Sequence, residues 1–415
     1  MVRLKGFQEL TSVDDALQRL LNATEFNLKK TSLPLLKAQN RVLSSDIIAQ
    51  TDLPRTDRSA VDGYAVNSKE TSGATQFKPR VFELIDQDKI RLNQTKQIWT
   101  GNTIPRNADA VVMLENTKIV QNRVEVWNPT TRWENVSRKG EDMKLGDVAL
   151  KAGTRLKPHH LGLLAAFGIA EVEVFEMPKI AVLATGNELV RLGDEITENQ
   201  VFDSNRIVLT ALCKELGAEV IDLGVACDNA VEIAGKLNVG IEKADAIITS
   251  GGTSVGGPDL VPEVVASIGK PGILVHGVAM RPGMPTALAV VKRKPIVLLP
   301  GNPVAAMLGF EVFGRPLISR MLGLKQTESR PMLTVKMKRK ISTTLGRKNL
   351  VRVHVSRGKE GVIAEPISAR GSSLFSTMTS ANGYVIVPEN QEGLAEGETV
   401  EAYMFGSPEG DGKNV

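Results

Sequence analysis

A chain of 415 residues is too long for one ordinary core and is read as roughly two to four domains. Its 42% hydrophobic and 24% charged residues are ordinary globular values. The net charge of +4 is spread along the whole chain, which is too diffuse for a nucleic-acid stripe but permits small anionic substrates.

The two cysteines, Cys213 and Cys227, stand outside any metal-type spacing, so a disulfide framework is not expected. A reducing compartment, the cytoplasm, is expected instead. The opening MVRLKGFQELTSVDDAL carries acids early and does not read as a signal peptide. No apolar run reaches the roughly 18 residues that span a bilayer. Only His159 and His160 are adjacent histidines, which argues against a His-ligated metal.

In chain order, residues 11–22 (TSVDDALQRLLN) are predicted to be a helix. Thr11 or Ser12 caps it, acids fill its first turn, and Val13, Leu17, Leu20 and Leu21 share a face. From 43 to 150, short β-type runs such as RVFELI, AVVML and RVEVW are separated by Pro, Gly, Asn and Asp. This is the pattern of a β-rich region with long connections. Residues 157–175 (KPHHLGLLAAFGIAEVEVF) read as a helix opened by Pro158 and stopped by Gly168, then a strand.

From about residue 178 the rhythm becomes α/β. The apolar strands KIAVLAT, AEVIDLGV, ADAIITS, TALAVV and PIVLLP lack polar alternation. Among them stand helical stretches: DSNRIVLTALCKELG, NAVEIAGKLNVGIEK, PDLVPEVVASIG and the long PVAAMLGFEVFGRPLISRML. Asp203 or Ser204 caps the first of these and Gly217 stops it, and Cys213 within it is a small core residue. Such strands imply a doubly wound, mostly parallel sheet covered on both faces. After residue 331, short alternating strands return (LTVKMKR, LVRVHV, GYVIVP, TVEAYMF), and the tail GSPEGDGKNV is expected to be disordered.

Ligands of open parallel sheets bind at the carboxyl ends of the strands. Three ends here carry unusual loops: LATGNEL (183–189), ITSGGTSVGGPDL (248–260) and LLPGNPVAAM (298–307). Taken singly, each is explained by a tight βα turn. Together they suggest nests of backbone N–H groups that attract phosphates. None is a Walker A loop or a GxGxxG fingerprint, which disfavours P-loop hydrolysis and Rossmann dinucleotide binding. Glu188, Asp228 and Asp259 each lie beyond a strand end, where they would hold Mg²⁺ between phosphate oxygens. The competing reading is a helix N-cap, strongest for Asp228 and Asp259. In MRPGMP (280–285), Arg281 is offered to an anion.

GNELV, TSGGTSVGGPD, RPGMPT and LPGNPVAA closely resemble the MoeA-type molybdopterin molybdenumtransferases, which include the E domain of gephyrin. DLPRTDRSAVDGYAV (52–66), TGNTIPRNADAVVMLENT (100–117), RKGEDMKLGDVALKAG (138–153) and GSSLFSTMTSANGYVIVP (371–388) are similar to further blocks of that family, in the family's order. The resemblance implies a multi-domain α/β plus β protein. A linker domain would comprise residues 1–45 and 147–177, and an elongated β domain 46–146. The doubly wound domain would be 178–326, with a β-barrel-like domain at 327–405 and a tail at 406–415. It also implies a homodimer, with each site between one subunit's sheet domain and the other's β domain.

The implied reaction inserts molybdate into adenylylated molybdopterin with Mg²⁺ assistance, and AMP leaves. The resemblance also implies that tungstate can replace molybdate, as in archaeal-type relatives. Thr185, Gly186, Ser250, Gly251, Gly252, Ser254, Gly256, Pro300, Gly301, Asn302 and Pro303 would cradle the pterin phosphate and the adenylate. Glu188, Asp228 and Asp259 match family acids, and Asp62, Thr100 and Asp142 match residues reaching in from the β domain. The oxyanion is expected at Arg281, Pro285, Arg352, Ser372 and Ser373. A molybdopterin adenylyltransferase and molybdoenzyme chaperones or apo-enzymes are implied partners, and neither nucleic acid nor membrane is expected.

Many relatives carry two lysines where this chain has Arg281 and Met284. Some have Ser where it has Ala305, and gephyrin-like members have Gln where it has Arg370. Two other functions share the outline. One is a binding or scaffold protein on the same fold. The other is a stand-alone adenylyltransferase, which would need only the sheet domain.

Overall fold

The first predicted helix is present as α1 (Val13–Ala23), and Ser12 rather than Thr11 caps it, its Oγ accepting from Asp15 N at 3.2 Å. The computed structural model describes residues 9–252, 260–327, 329–358, 361–367 and 373–410. The chain forms two units, Ser32–Val174 and a larger one made of Met1–Thr31 with Phe175–Val415.

Six of the strands in the smaller unit build its main sheet: β1 (Gly63–Val66), β2 (Arg80–Leu84), β3 (Gln94–Ile98), β4 (Ala110–Met113), β5 (Thr117–Val120) and β6 (Arg123–Val126). They form one sheet in the order β4-β1-β3-β2-β6-β5, antiparallel except between β2 and β3. Alternation places Tyr64, Phe82, Val112, Val124 and Val126 on a shared apolar core. The expected helix is α2 (Pro158–Ala166). It ends as read, with Gly168 at φ +78° and Ile169 N closing onto Leu164 O at 3.0 Å.

In the larger unit the apolar runs become β7 (Lys179–Thr185), β8 (Glu219–Ala226), β9 (Ala246–Ser250), β12 (Ala287–Val291) and β13 (Lys294–Leu299), and a strand not expected from the sequence, β10 (Pro271–His276), joins them. The short β11 (Met280–Arg281) joins a different sheet. The strand order is β8-β7-β9-β13-β12-β10. The first four strands are parallel, whereas β12 is antiparallel to both β13 and β10. The sheet is thus mostly parallel, as expected, with an antiparallel edge. That edge follows from Lys292 and Arg293, which take φ +50° and +68° and join β12 to β13 directly. This is the mirror-image two-residue turn of a hairpin, built without the Asn-Gly pair that usually announces it. β9 and β12 are buried at every position, so their side-chain pattern carries no sign of direction.

α3 (Asn205–Glu215), α4 (Ala230–Lys243) and α5 (Leu260–Ile268) follow as predicted. Ile233 and Leu237 of α4 and Val261 and Val264 of α5 pack with Ala181, Ile247 and Leu298 of the sheet. Cys213 of α3 is buried, and burial pushes its thiol up to about 12. The long predicted helix is not uniform. α6 (Pro303–Gly309) passes through a π turn at Phe310–Gly314 into α7 (Arg315–Met321). The wide turn sits where Pro316 has no N–H to offer Val312 O.

The π turn carries Glu311, whose side chain is 2% exposed and lies between two arginines. Arg315 Nε donates to Glu311 Oε2 at 2.7 Å, and Arg330 Nη2 to Oε1 at 2.8 Å. Arg330 also reaches Glu215 Oε1 at 2.7 Å and stacks over Phe405 at 5.5 Å. It stands just before β14 (Met332–Met337). β14, β15 (Lys348–Gly358), β16 (Gly361–Pro366), β17 (Gly383–Val387) and β18 (Thr399–Met404) close into a five-stranded barrel in the order β15-β16-β14-β18-β17. Residues 406–410, expected to be disordered with the rest of the tail, instead lie along β15. Glu409 N donates to Val355 O at 3.1 Å, and Arg357 N donates to Glu409 O at 2.9 Å. Residues 411–415 of that expected tail lie outside the described residues. No helix among the described residues is long and apolar enough to cross a membrane.

Candidate active site

The site begins where the parallel strands end. β7 is buried from Ile180 to Thr185 and then turns at Gly186. The Glu188 carboxylate folds back over that glycine, so that a Cβ there would lie 2.6 Å from both of its oxygens. On the neighbouring strand end, Asp228 N donates to Asn187 Oδ1 at 2.9 Å, and Asn187 N to Asp228 Oδ2 at 3.3 Å. This reciprocal clamp ties the ends of β7 and β8, bringing Asp228 and Glu188 to one turn. Asp228 is not the helix cap. Asn229 is, its Oδ1 accepting from Val231 N at 2.9 Å and Glu232 N at 3.2 Å.

Two exposed carboxylates with no cationic partner among the described residues make an all-oxygen donor pair that suits Mg²⁺. Among the described residues no three His, Cys, Asp or Glu side chains are grouped for a metal. Asp259, the third expected acid, lies outside the described residues, as do Ser254, Gly256 and Ser372.

β9 runs into Ser250, Gly251 and Gly252. Gly251 has φ +99°, and a Cβ there would meet Thr185 O at 2.2 Å. At Gly252 a Cβ would meet Val261 Cγ2 at 2.3 Å. Only glycine permits this approach of two strand ends. The third loop arrives from β13: Gly251 N donates to Leu299 O at 3.0 Å, and Ser250 Oγ to Pro300 O at 3.3 Å. A Cβ on Gly301 would lie 3.6 Å from Gly251 Cα. Asn302 ends this loop, and Pro303 opens α6. The three glycine loops therefore meet, as read from the sequence. The Thr185 hydroxyl lies at this junction, 3.0 Å from a Cβ built on Gly251 and 2.9 Å from one on Gly252, and is buried without a hydrogen-bond partner among the described residues.

Asn205 holds this cradle together, and sequence reasoning missed it. Its Nδ2 donates to Ser250 Oγ at 2.8 Å and to Gly301 O at 2.7 Å. The residue stands at the start of a helix, where an Asn reads as a capping candidate, and its partners are far away in sequence. Nothing local signals them.

Beyond the third loop lies a cavity of about 430 Å³, lined by Arg281, Pro285 and Arg352 together with Pro300 and Asn302. It forms because β11 adds to the barrel, Arg281 pairing in register with Asn349 of β15. Arg352 is 4% exposed, and this burial holds its guanidinium below its usual value. Met284 and Ala305 line the same cavity, as does Arg347, which was not read from the sequence. Ser373 is exposed and is not among the lining residues.

In the smaller unit, Asp62 Oδ1 accepts from Thr100 N and Thr100 Oγ1, both at 2.7 Å. These bonds hold its carboxyl below the ordinary range. Asp142 is exposed in the turn after Val136–Ser137, its N donating to Leu53 O at 3.1 Å. Val136–Ser137 pairs with Arg58–Ser59, just ahead of Asp62. The structure thus joins Asp62 to Thr100 in one unit and Glu188 to Asp228 in the other.

Residues 11–168 match the family model of the MoeA N-terminal region (domain I and II), and 334–405 that of the MoeA C-terminal region (domain IV). Residues 181–320 match a "Probable molybdopterin binding domain". The molybdopterin molybdenumtransferase of Haemophilus influenzae is 32% identical over 95% of this chain and 99% of its own. That of Staphylococcus aureus is 33% identical over 94% of this chain and 95% of its own. The crystal structure of the molybdopterin biosynthesis MoeA protein from Pyrococcus horikoshii superposes with a TM-score of 0.83 at 27% identity, covering 95% of this chain and 100% of that one.

Proposed function

The chain belongs to the MoeA family of molybdopterin biosynthesis proteins, and on that footing we propose that it is a molybdopterin molybdenumtransferase. In the reaction proposed, the two dithiolene thiols of adenylylated molybdopterin replace one oxygen of molybdate, or of tungstate, which leaves as water, and a water cleaves the phosphoanhydride so that AMP leaves and the pterin keeps its phosphate. The observation that carries this reading is that the glycine cradle and the arginine-lined cavity meet at Pro300–Asn302. Pro300 and Asn302 line the cavity, while Gly301 between them packs on Gly251 of the cradle.

The chain's own groups divide the work by chemistry. The Thr185 hydroxyl at the loop junction is a donor for a phosphate oxygen, and the close approach at Gly251 and Gly252 lets backbone replace side chain around the ligand. Glu188 and Asp228, with Asp259, would hold Mg²⁺. When bound, Mg²⁺ neutralises phosphate oxygens that these acids would otherwise repel. A tetrahedral dianion needs cations and donors but few acids, which assigns it to Arg281 and Arg352 rather than to the acid rim. Asp62, Thr100 and Asp142 are proposed to approach the substrate from a second copy in a homodimer. An equimolar mixture of Asp62→Ala and Asp228→Ala chains, each inactive alone, is then expected to regain part of the activity. Mixing that restores nothing, although hybrid dimers form, removes the shared site.

The reading is tested by AMP release from adenylylated molybdopterin on addition of molybdate. Binding of the pterin without AMP release would identify a scaffold on the same fold, and ATP-dependent adenylation an adenylyltransferase. Arg281→Ala is expected to weaken molybdate binding by at least about tenfold, since a guanidinium fork bridges two oxyanion oxygens, while affinity for the adenylylated pterin holds. Equilibrium titration of both ligands decides this, and an equal loss for both would remove Arg281 from the oxyanion site.

A further inference from the structure

Three guanidiniums, not two, line the cavity beside the glycine cradle: Arg281, Arg352 and Arg347. Arg347 stands at the entry to β15, on backbone fixed from both sides. Gly346 N donates to Glu389 O at 2.8 Å, Lys348 N donates to Ala279 O at 2.9 Å, and Arg347 O accepts from Asn349 Nδ2 at 2.7 Å. Lys348 reaches α1, its Nζ 2.8 Å from Asp14 Oδ1. Arg347 and Asn349 on either side of it line the cavity, as do Leu350, Val351 and Arg352 further along the strand. Arg281 and Arg347 have no ion-pair partner among the described residues, and no Asp or Glu is among the lining residues. On the wall contributed by the sheet, Met284 presents an uncharged thioether.

We infer that Arg347 is a specificity-determining residue of this pocket, a third guanidinium that supplies from the barrel side the charge that Met284 does not supply from the sheet side. The inference rests on the oxyanion reading above and adds to it. Two cations already match a dianion in charge. A third raises the preference for a fully deprotonated tetrahedral dianion over a monoanion or a neutral ligand, and its planar fork adds paired donors for a second edge of the tetrahedron.

Molybdate binding by Arg347→Ala, measured by calorimetric titration, is expected to be weaker by at least about tenfold, the scale of one charge-assisted hydrogen bond. Affinity for adenylylated molybdopterin and the unfolding midpoint should stay unchanged. Adding Met284→Lys to Arg347→Ala is expected to recover most of the lost affinity, because a charge restored from the opposite wall can do so and restored packing cannot. If Arg347→Ala binds molybdate as the unaltered protein does while Arg281→Ala does not, Arg347 has no part in the pocket and the pocket reading stands. If neither variant changes molybdate affinity, the oxyanion reading of the cavity falls with it. A loss accompanied by a lowered midpoint and not rescued by Met284→Lys makes the residue structural and overturns the inference.

Discussion

Asp228→Asn is expected to lower turnover by about 10²–10³-fold, the scale seen when one charge-placing group leaves an active site, while the thermal midpoint stays near that of the unaltered protein. The structural side of this expectation follows from the cap of α4. Asn229 takes the helix N–H groups, so Asp228 has no cap to lose. Its one carboxylate bond among the described residues, from Asn187 N at 3.3 Å, is exposed, and an asparagine oxygen can still accept it. Loss of such a bond costs about 0.5–1.5 kcal/mol at most. Charge is what the substitution removes, at the turn shared with Glu188. Turnover by Asp228→Asn at the unaltered rate, measured as AMP release at saturating molybdate and pterin, would exclude Asp228 from the chemistry. A large fall in the midpoint would make it a structural clamp instead.

Glu311→Ala is expected to cost about 3–5 kcal/mol of stability, the penalty for stripping one partner from a buried ionic group. Glu311 receives Arg315 and Arg330 together, and the alanine variant leaves both buried guanidiniums with the half-exposed Glu215 as their remaining carboxylate among the described residues. Burial alone would raise the Glu311 carboxyl, but hydrogen bonds and charge from the two arginines outweigh it and hold the carboxyl below its usual value. A carboxyl lowered in the folded state stabilises the fold above its unfolded pKa. That contribution fades as pH falls through the folded value. Acid should therefore narrow the gap between Glu311→Ala and the unaltered protein. Denaturant unfolding at neutral and acid pH checks both points. A loss below about 1 kcal/mol, or a gap that widens in acid, would show that the pair is not the clasp described.

The parts of this architecture that show in the sequence are those whose cause is local. A hydroxyl at Thr11 or Ser12 announces α1 because a cap needs an oxygen just before an amphipathic run, and the structure chooses Ser12. Gly168 announces the end of α2 because only glycine enters the left-handed region cheaply there. The glycines at 251 and 252 were legible as a close approach. What approaches them, Thr185 O and Val261, was not. Asp228 illustrates the limit from the other side. Its neighbour Asn229 is an equally good capping residue, and only the geometry decides between them.

By itself, the sequence determined the class of the helices and of the strongly apolar strands, the mostly parallel sheet and the glycine loops at three strand ends, but not strands such as Pro271–His276 and Gly361–Pro366 nor the π turn at Phe310–Gly314. What it determined follows from hydrophobic periodicity and from residues whose backbone freedom is special, and both act within a few residues. Only the tertiary structure decided the antiparallel edge at Lys292-Arg293, the Asn205 bridge, the burial of Glu311 between two arginines and the place of Arg347 on the wall of the arginine-lined cavity. In each case the deciding partner is either a turn that lacks its usual residues or a group tens of residues away. Charge and hydrogen-bonding capacity are written in the chain, but which donors and acceptors meet is set by how the strands are ordered and where the barrel docks.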